Sequence, residues 1–219
     1  MAFPGTPSLS DALAKHQIDL PTDQVARIDR YCQLLWSWNE RINLTRHTDY
    51  DTFVTRDVVD SLELAKLLEP GEEVLDVGSG GGVPGILLAI VRPDLQVTMC
   101  DSVRKKVQVL AEIATELGLA TPVFAERGES LLEDMRVDSV IARAIGPLWK
   151  VCQWFAPHWM SMRRLLLIKG PRWVDERKEA RERGVLRAMD LRRVASYPMA
   201  GTASESVILQ LTLKKAGSD

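Results

Sequence analysis

The sequence predicts an α/β fold: a doubly wound, mainly parallel seven-stranded sheet with helices on both faces, preceded by a helical extension. Three observations carry that expectation. From Glu73 onward, short valine- and leucine-rich runs alternate with helical stretches, as parallel strands joined by crossover helices require. Residues 8–70 hold no such runs and read as helix throughout. Between the two regions stands Glu73-Val74-Leu75-Asp76-Val77-Gly78-Ser79-Gly80-Gly81-Gly82-Val83-Pro84-Gly85, a buried-strand composition that runs into a glycine loop and then a helix. Pro70-Gly71 punctuates the chain there, so the expected division is an extension over residues 1–70 and a core domain over 71–219.

In the extension, Ser10-Asp11-Ala12-Leu13 opens a short helix and Pro21-Thr22-Asp23-Gln24 a longer one. Val25, Ile28, Cys32 and Leu35 recur at three- and four-residue spacing, an apolar stripe for packing on a neighbour. The pattern breaks at Trp36-Ser37-Trp38-Asn39-Glu40-Arg41-Ile42-Asn43-Leu44-Thr45, and a third helix is expected from about Asp51 to Leu68. In the core, strands are expected at Glu73–Val77, Leu95–Asp101, Pro122–Ala125, Val137–Ala142, Leu165–Lys169, Leu191–Tyr197 and Ser206–Leu213. Helices are expected from Gly85, over Val103–Leu117 with Gly118 as its cap, around Trp149, Trp154 and Trp159, and over Val174–Ala188. The short link between the last two strands predicts an antiparallel hairpin at the end of the sheet.

Composition narrows the class. A chain 46% hydrophobic and 26% charged, with no apolar run of the roughly 18 residues a membrane helix needs, is expected to be soluble. Met1-Ala2-Phe3-Pro4-Gly5-Thr6-Pro7 lacks the basic-then-apolar pattern of a signal peptide. Cys32, Cys100 and Cys152 are scattered and odd in number, and His16, His47 and His158 are equally dispersed, so neither a disulfide framework nor a metal site is expected. A cytoplasmic, metal-free monomer is the plain reading. A net charge of −2 argues against a non-specific nucleic-acid binder. The charge is uneven, though: residues 1–70 hold 7 Lys/Arg against 11 Asp/Glu, and the remainder 21 against 19.

The glycine loop fits two ligand classes. Gly80 to Gly85 matches G-x-G-x-x-G, with Asp101 about twenty residues on, the dinucleotide fingerprint. The second pattern is D-x-G-x-G-x-G, from Asp76 to Gly82. A carboxylate at that strand end is expected to face the cationic end of a ligand rather than a pyrophosphate. S-adenosylmethionine has such an end, a sulfonium with an ammonium. The segment resembles motif I of the Rossmann-like class I methyltransferases. Gly78, Ser79, Gly80, Gly82, Val83 and Pro84 would then form the cofactor cradle, with free N–H groups at the following helix start.

Ligands in open α/β sheets sit at the carboxyl ends of the strands. Asp101 ends the second strand, where a carboxylate can accept both ribose hydroxyls or cap the next helix. Arg127-Gly128-Glu129 follows the third strand and suits the adenine edge; Arg143 and Lys169 end the fourth and fifth. After the fourth strand there is no Asn/Asp-Pro-Pro-Tyr/Phe loop of the kind that methylates exocyclic amines. No cysteine stands as a nucleophile for pyrimidine C5 and no histidine as a general base. The acceptor is therefore expected to be nucleophilic as it stands, and guanine N7 is such an atom. Arg143 and Lys169 would position RNA phosphate or guanine O6 instead of taking a proton.

At this point the chain resembles the bacterial 16S ribosomal RNA guanine-N7 methyltransferases, also called glucose-inhibited division protein B. The likeness runs from about Leu9 to Leu213. It includes Trp38-Asn39 with Asn43-Leu44-Thr45, Arg56, Asp60-Ser61, the glycine loop with its proline, and Arg92-Pro93. It continues in Asp101-Ser102, Lys105-Lys106, Arg127-Gly128-Glu129, Arg143-Ala144 and Lys169-Gly170. The resemblance implies S-adenosylmethionine contacts at Gly78, Val83, Gly128, Glu129 and Arg143, with S-adenosylhomocysteine as product. It implies methylation in the 530 loop of 16S rRNA (nucleotide 527 in the usual rRNA numbering), with the small ribosomal subunit as partner. Asn43, Thr45, Arg56, Arg143, Lys169 and Arg172 are expected on the RNA side. Two departures stand out. The family usually reads Arg-His where this chain has Arg56-Asp57, and a basic residue commonly precedes the last strand where this chain has Glu205-Ser206. Both remove positive or titratable character from the expected RNA face. Two other readings stay open: a non-catalytic ribosome-assembly factor that keeps the pocket, and an NAD-dependent oxidoreductase.

Overall fold

The structure, a computed structural model, describes residues 8–214. The stretch Met1–Pro7 read above for a leader lies outside the described residues. Helix α1 (Leu9–Lys15) starts where the Ser8 hydroxyl accepts the Asp11 N–H, and α2 (Thr22–Asn39) follows Pro21. The helix expected over 51–68 is a continuous helical run in three parts: α3 (Tyr50–Phe53), a π turn over Val54–Val58, and α4 (Val59–Ala65). Asp49 caps it by accepting the Thr52 N–H at 2.8 Å. A π turn inserts an extra residue into the helical ladder, which period-based reading does not register.

Strand and helix then alternate: β1 (Glu73–Val77), α5 (Gly85–Val91), β2 (Gln96–Cys100), α6 (Arg104–Glu116), β3 (Val123–Phe124), α7 (Gly128–Asp134), β4 (Val137–Arg143) and α8 (Leu148–Phe155). They end with β5 (Met162–Lys169), α9 (Trp173–Glu182), β6 (Met189–Pro198) and β7 (Glu205–Leu213). The sheet order is β3-β2-β1-β4-β5-β7-β6, and only β7 runs antiparallel to its neighbours, so the expected terminal hairpin is present. Three expectations need correction. Helix α7 was not anticipated, because the sequence around Gly128 reads as loop. Trp159 lies beyond α8, which gives way to a 3-10 turn over Ala156–His158 containing Pro157. Helix α9 stops at Glu182 instead of reaching Ala188, because Gly184 turns left-handed at φ +73°.

Alternation along the central strands separates two cores. Val74, Ile141, Leu166 and Ile168 face one side, against α5, α6 and the buried residues of α2, such as Ile28, Tyr31 and Leu35. Leu75, Val77, Val140, Leu165 and Leu167 face the other, against Val151, Cys152 and Phe155 of α8 and Ala180 of α9. The extension thus shares its core with one face of the sheet. Polar ties reinforce this. Arg92 donates to the carbonyls of Ala65 (2.7 Å) and Leu68 (3.1 Å), satisfying orphan acceptors where α4 ends. Below them Arg164 donates to Leu67 O (2.8 Å) and to both oxygens of Glu72, which also accepts from Ser139.

Glu72 and Arg164 form a largely buried ion pair, so removing one partner strands the other. Glu72→Ala is expected to lower the unfolding free energy by about 3 kcal/mol, measured by urea denaturation. A loss under about 0.5 kcal/mol would show that water replaces the carboxylate at no cost.

Candidate active site at the carboxyl ends of β1, β2 and β4

The chain leaves one side of the sheet at β3 and returns on the other at β4, so β1 and β4 flank the topological switch point. Register puts Val77 beside both Cys100 and Ala142, which brings Gly78, Asp101 and Arg143 to one edge. A cleft of about 360 Å³ opens there, of a size usual for small-molecule sites. Gly78, Asp101, Gly128, Glu129 and Arg143 of the expected site residues line it. Sequence reasoning missed Ser102, Glu126, Ala144, Ile145 and Trp154, which also line it. Ala144 sits in the left-handed region at φ +57°, a conformation that an alanine does not advertise. That turn lays Ile145 over Gly78, where a Cβ would come within 2.5 Å of the isoleucine methyl. Gly78 is itself left-handed at φ +69°. Gly128 is pressed as closely on Val77.

The glycine loop is tied into the protein around it, with Gly78 at the cleft. Most of its backbone meets protein. The N–H groups of Gly78 and Ser79 both donate to Cys100 O, and the Ser79 hydroxyl donates to Asp76 O. Tyr31, fully buried on α2, donates its hydroxyl to Gly81 O at 2.8 Å. Burial holds the Tyr31 phenol well above its usual pKa, so it stays a donor. A Cβ at Gly82 would strike Ile86 and Leu110, and one at Gly81 would meet Leu35 and the Leu44 carbonyl. Val83 packs against the core that the extension shares, and the Val83–Pro84 peptide is cis. The N–H groups expected to be free are occupied: Gly85 donates to Asp76 Oδ2 at 3.1 Å and Ile86 to Gly82 O at 2.7 Å. Ser79, Gly80, Gly82, Val83 and Pro84 shape the loop that carries Gly78 to the cleft.

Asp76 lies beneath the loop. It is 1% exposed and braces the loop from beneath instead of facing the cleft, with Oδ1 lacking a hydrogen-bond partner. Burial pushes its carboxyl up to about 7; Ser79, the Gly85 N–H and Arg143 pull the other way without offsetting it. Asp101 does reach the cleft. Its Oδ2 accepts the Gly80 N–H (3.0 Å) and its Oδ1 the Val103 N–H (2.8 Å), so it ties the loop to β2 and caps the approach to α6. Each oxygen keeps a lone pair for a ligand.

The cations are also redistributed. Arg143 meets Asp57 at 2.7 Å and Asp60 at 3.2 Å, both from the extension. Burial opposes its charge, but the two carboxylates hold the guanidinium above its ordinary pKa. Asp60 also accepts the Tyr197 hydroxyl at 2.7 Å. Asp57, read from sequence as a loss of titratable character, is 1% exposed and has His47 Nδ1 at 2.8 Å. Lys169 is not on a surface. It is 7% exposed and donates to Gly146 O (2.6 Å) and Glu176 Oε2 (2.8 Å), fixing the turn after β4 to α9. Arg172 and Asn43 are exposed, and Thr45 and Arg56 half-buried. Thr45 Oγ1 accepts the His47 N–H, and Glu205 accepts the Ser196 hydroxyl while Ser206 is buried. Among the described residues no helix is long and apolar enough to cross a membrane, and no cluster of His, Cys, Asp or Glu is placed to hold a metal.

Strand order, the terminal antiparallel pair and acids closing β1 and β2 define a Rossmann-like class I S-adenosylmethionine-dependent methyltransferase fold. Solved structures share it. TrmK of M. capricolum, in complex with S-adenosylhomocysteine, aligns with a TM-score of 0.55 over 71% of this chain and 68% of its own, at 12% identity. A putative rRNA methylase from Clostridium thermocellum gives 0.52 over 74% and 97%, at 14% identity. The family model described as rRNA small subunit methyltransferase G matches residues 24–204. Ribosomal RNA small subunit methyltransferase G of Rhodopirellula baltica is 51% identical, over 94% of this chain and 96% of its own length. The chain belongs to the rRNA small subunit methyltransferase G family.

Two predictions follow from the burial of Asp76 and Lys169. A carboxyl raised on folding binds its proton more tightly when folded, so its contribution to stability is present below the unfolded value of 3.8 and is lost as pH rises towards about 7. Asp76→Asn has no proton to lose. Relative to the wild type, the variant should gain stability from pH 4 to 7 and level off above; a constant difference in urea unfolding across that window would contradict the assignment. Lys169→Met should lower the melting temperature yet leave the salt dependence of RNA affinity unchanged, whereas Arg172→Ala should reduce that slope by about one if it meets a phosphate. A shallower slope for Lys169→Met would return the lysine to the RNA surface.

Proposed function

We propose that this chain methylates guanine N7 in the 530 loop of 16S rRNA, at nucleotide 527, by direct transfer without a general base. Family membership makes it an rRNA small-subunit methyltransferase with S-adenosylmethionine as cofactor. The cleft fits that cofactor on the chain's own chemistry. Asp101, Glu126 and Glu129 outnumber the arginines lining it, and one of those, Arg143, is already balanced by Asp57 and Asp60. Such a lining suits a sulfonium and an ammonium and repels a pyrophosphate. Asp101 would take the ribose hydroxyls, Gly128 and Glu129 the adenine side, and Gly78 with Ile145 the apolar contact. When bound, S-adenosylmethionine supplies an electrophilic methyl group.

The observation that carries the N7 reading is the titratable lining of the cleft, which is made of carboxylates and guanidiniums alone. Histidine and cysteine, which would suit general-base or nucleophilic chemistry, do not line it, and Lys169 is sealed beneath the turn after β4. Guanine N7 needs neither a base nor a nucleophilic residue, because its lone pair lies outside the aromatic system and carries no proton. The work left to the protein is orientation and exclusion of water. Ile145 and Trp154 contribute apolar cover; Arg143 is a fixed cation at the cleft wall.

The test is transfer of labelled methyl from S-adenosylmethionine to small subunits lacking the modification, with N7-specific strand scission to map the product. Label at one guanine of the 530 loop is expected. Asp101→Asn should weaken cofactor binding about tenfold or more, the worth of a charge-assisted hydrogen bond, and leave subunit binding within twofold. Label elsewhere, or equal loss of both affinities, would overturn the respective assignments.

A further inference from the structure

The arginines and lysines of the chain divide into those with a carboxylate partner and those without. Arg143, Arg164 and Lys169 are paired inward. Beyond β5 a second group is left uncommitted. Arg172 precedes α9, Arg177 and Arg181 stand on it, and Arg187 follows it; Arg193 lies on β6 and Lys214 follows β7. None of these has an ion-pair partner among the described residues, and all but the half-buried Arg177 are exposed. The acids of α9 do not neutralise them. Glu176 pairs with Lys169, Glu179 with Arg183 and Glu182 with Lys178, which leaves Asp175 as the uncommitted acid of that helix.

The fold gathers these cations into one strip. Leu191 and Arg193 of β6 stand opposite Leu211 and Leu209, both in the core beneath α8 and α9, so Arg193 faces α9. Its guanidinium carbon lies 5.8 Å from the centre of the Trp173 ring, and that of Arg177 lies 5.0 Å from it. One tryptophan thus orders a cation from the helix and another from the edge strand before any ligand arrives. Where α9 ends, Arg181, Arg187 and Lys214 line a hollow of about 350 Å³, with Asp190 as its acid.

The other end of the strip is fixed to the cleft. Lys169 donates to Gly146 O and Glu176, and Glu176 accepts the Leu148 N–H at 2.8 Å. The first turn of α9 is thereby tied to the turn that carries Ala144 and Ile145 into the cleft. The ten residues of α9 then lead about 15 Å away from that rim. Sheet order sets the strip on the β5-β7-β6 side, opposite Asp101 and Glu129 at β2 and β3.

We propose that this strip carries the sugar–phosphate backbone of the rRNA substrate as it leaves the cleft. Phosphates sit on Arg177 and Arg193 and in the hollow formed by Arg181, Arg187 and Lys214. The inference rests on the family's rRNA substrate, not on which atom is methylated. A guanidinium suits this partner because its planar fork matches two phosphate oxygens. Contacts of this kind fix the register of an RNA without reading its bases.

The test is the salt dependence of binding to small subunits lacking the modification, for wild type, Arg181→Gln, Arg187→Gln, Arg193→Gln and the triple variant. Each single change should reduce the slope of log affinity against log salt by about 0.7 to 0.9, and the triple by about 2 to 3. Cofactor affinity should stay within twofold of wild type, whereas a loosened fold would lower it too. Arg181→Lys keeps the charge and should keep the wild-type slope. Arg136→Gln removes an exposed charge between α7 and β4, outside the strip, and should leave the slope unchanged. Should the triple variant fail to fold, the single variants carry the same comparison. Wild-type slopes in all three single variants overturn the proposal, and so does an equal drop in Arg136→Gln, the mark of a net-charge effect. Unchanged slopes, with wild type binding phosphatidylserine vesicles that the triple variant does not, would assign the strip to a lipid surface instead. Failure of wild type to methylate the small subunit would sink the family's activity in this chain; methylation with unaltered slopes sinks only the strip.

Discussion

Arg143 at the end of β4, gripped by Asp57 and Asp60, is the contact on which the architecture of the site depends. It is the point where the helical extension meets the sheet edge that forms the cleft. A guanidinium placed alone at that edge would be costly to desolvate and would repel a cationic cofactor. With two carboxylates it becomes a strut, and Asp60 extends it to Tyr197 on the terminal strand pair. The π turn belongs to the same device, since Asp57 lies within it and Asp60 one turn beyond. Extension, central strands and terminal hairpin are thereby fixed to one another at the mouth of the cleft.

The glycine loop obeys a related constraint. Its residues are small because protein atoms crowd them from the extension side, where Tyr31, Leu35 and Leu44 press on Gly81 and Gly82. The turn at Gly78 opens onto the cleft, and there Ile145 sets the limit. Asp76 beneath the loop trades exposure for a bond to Gly85 N–H, and its raised carboxyl reflects the burial this requires. A loop built this way is rigid before anything binds, which reduces the ordering cost of ligand binding.

Much of this was legible in the sequence. Period-two and helical patterns located every strand and most helices, because burial on both faces of a parallel sheet leaves long apolar runs. Asp101, Gly78, Gly128, Glu129 and Arg143 could be placed at strand ends, and the structure brings them together. What was not legible depends on partners distant in the chain. Lys169 looks like an exposed cation until Glu176 and Gly146 O are known to close on it. Asp57 looks like a lost histidine until His47 is seen against it. Ala144 gives no hint of a left-handed turn, so Ile145 over Gly78 was invisible as well.

The distribution of committed and uncommitted groups points to how such an enzyme divides its labour. Cations that composition would assign to RNA are absorbed inward, Arg143 and Lys169 by carboxylates, Arg92 and Arg164 by backbone carbonyls as well. Carboxylates outnumber guanidiniums along the cleft, which suits a cationic cofactor better than a polyanion. Arg172 and, in the loop after α2, Asn43 and Arg46 remain exposed. The lining carries three carboxylates against two guanidiniums, one of them already balanced by Asp57 and Asp60, a charge balance that favours a cationic ligand over a phosphate.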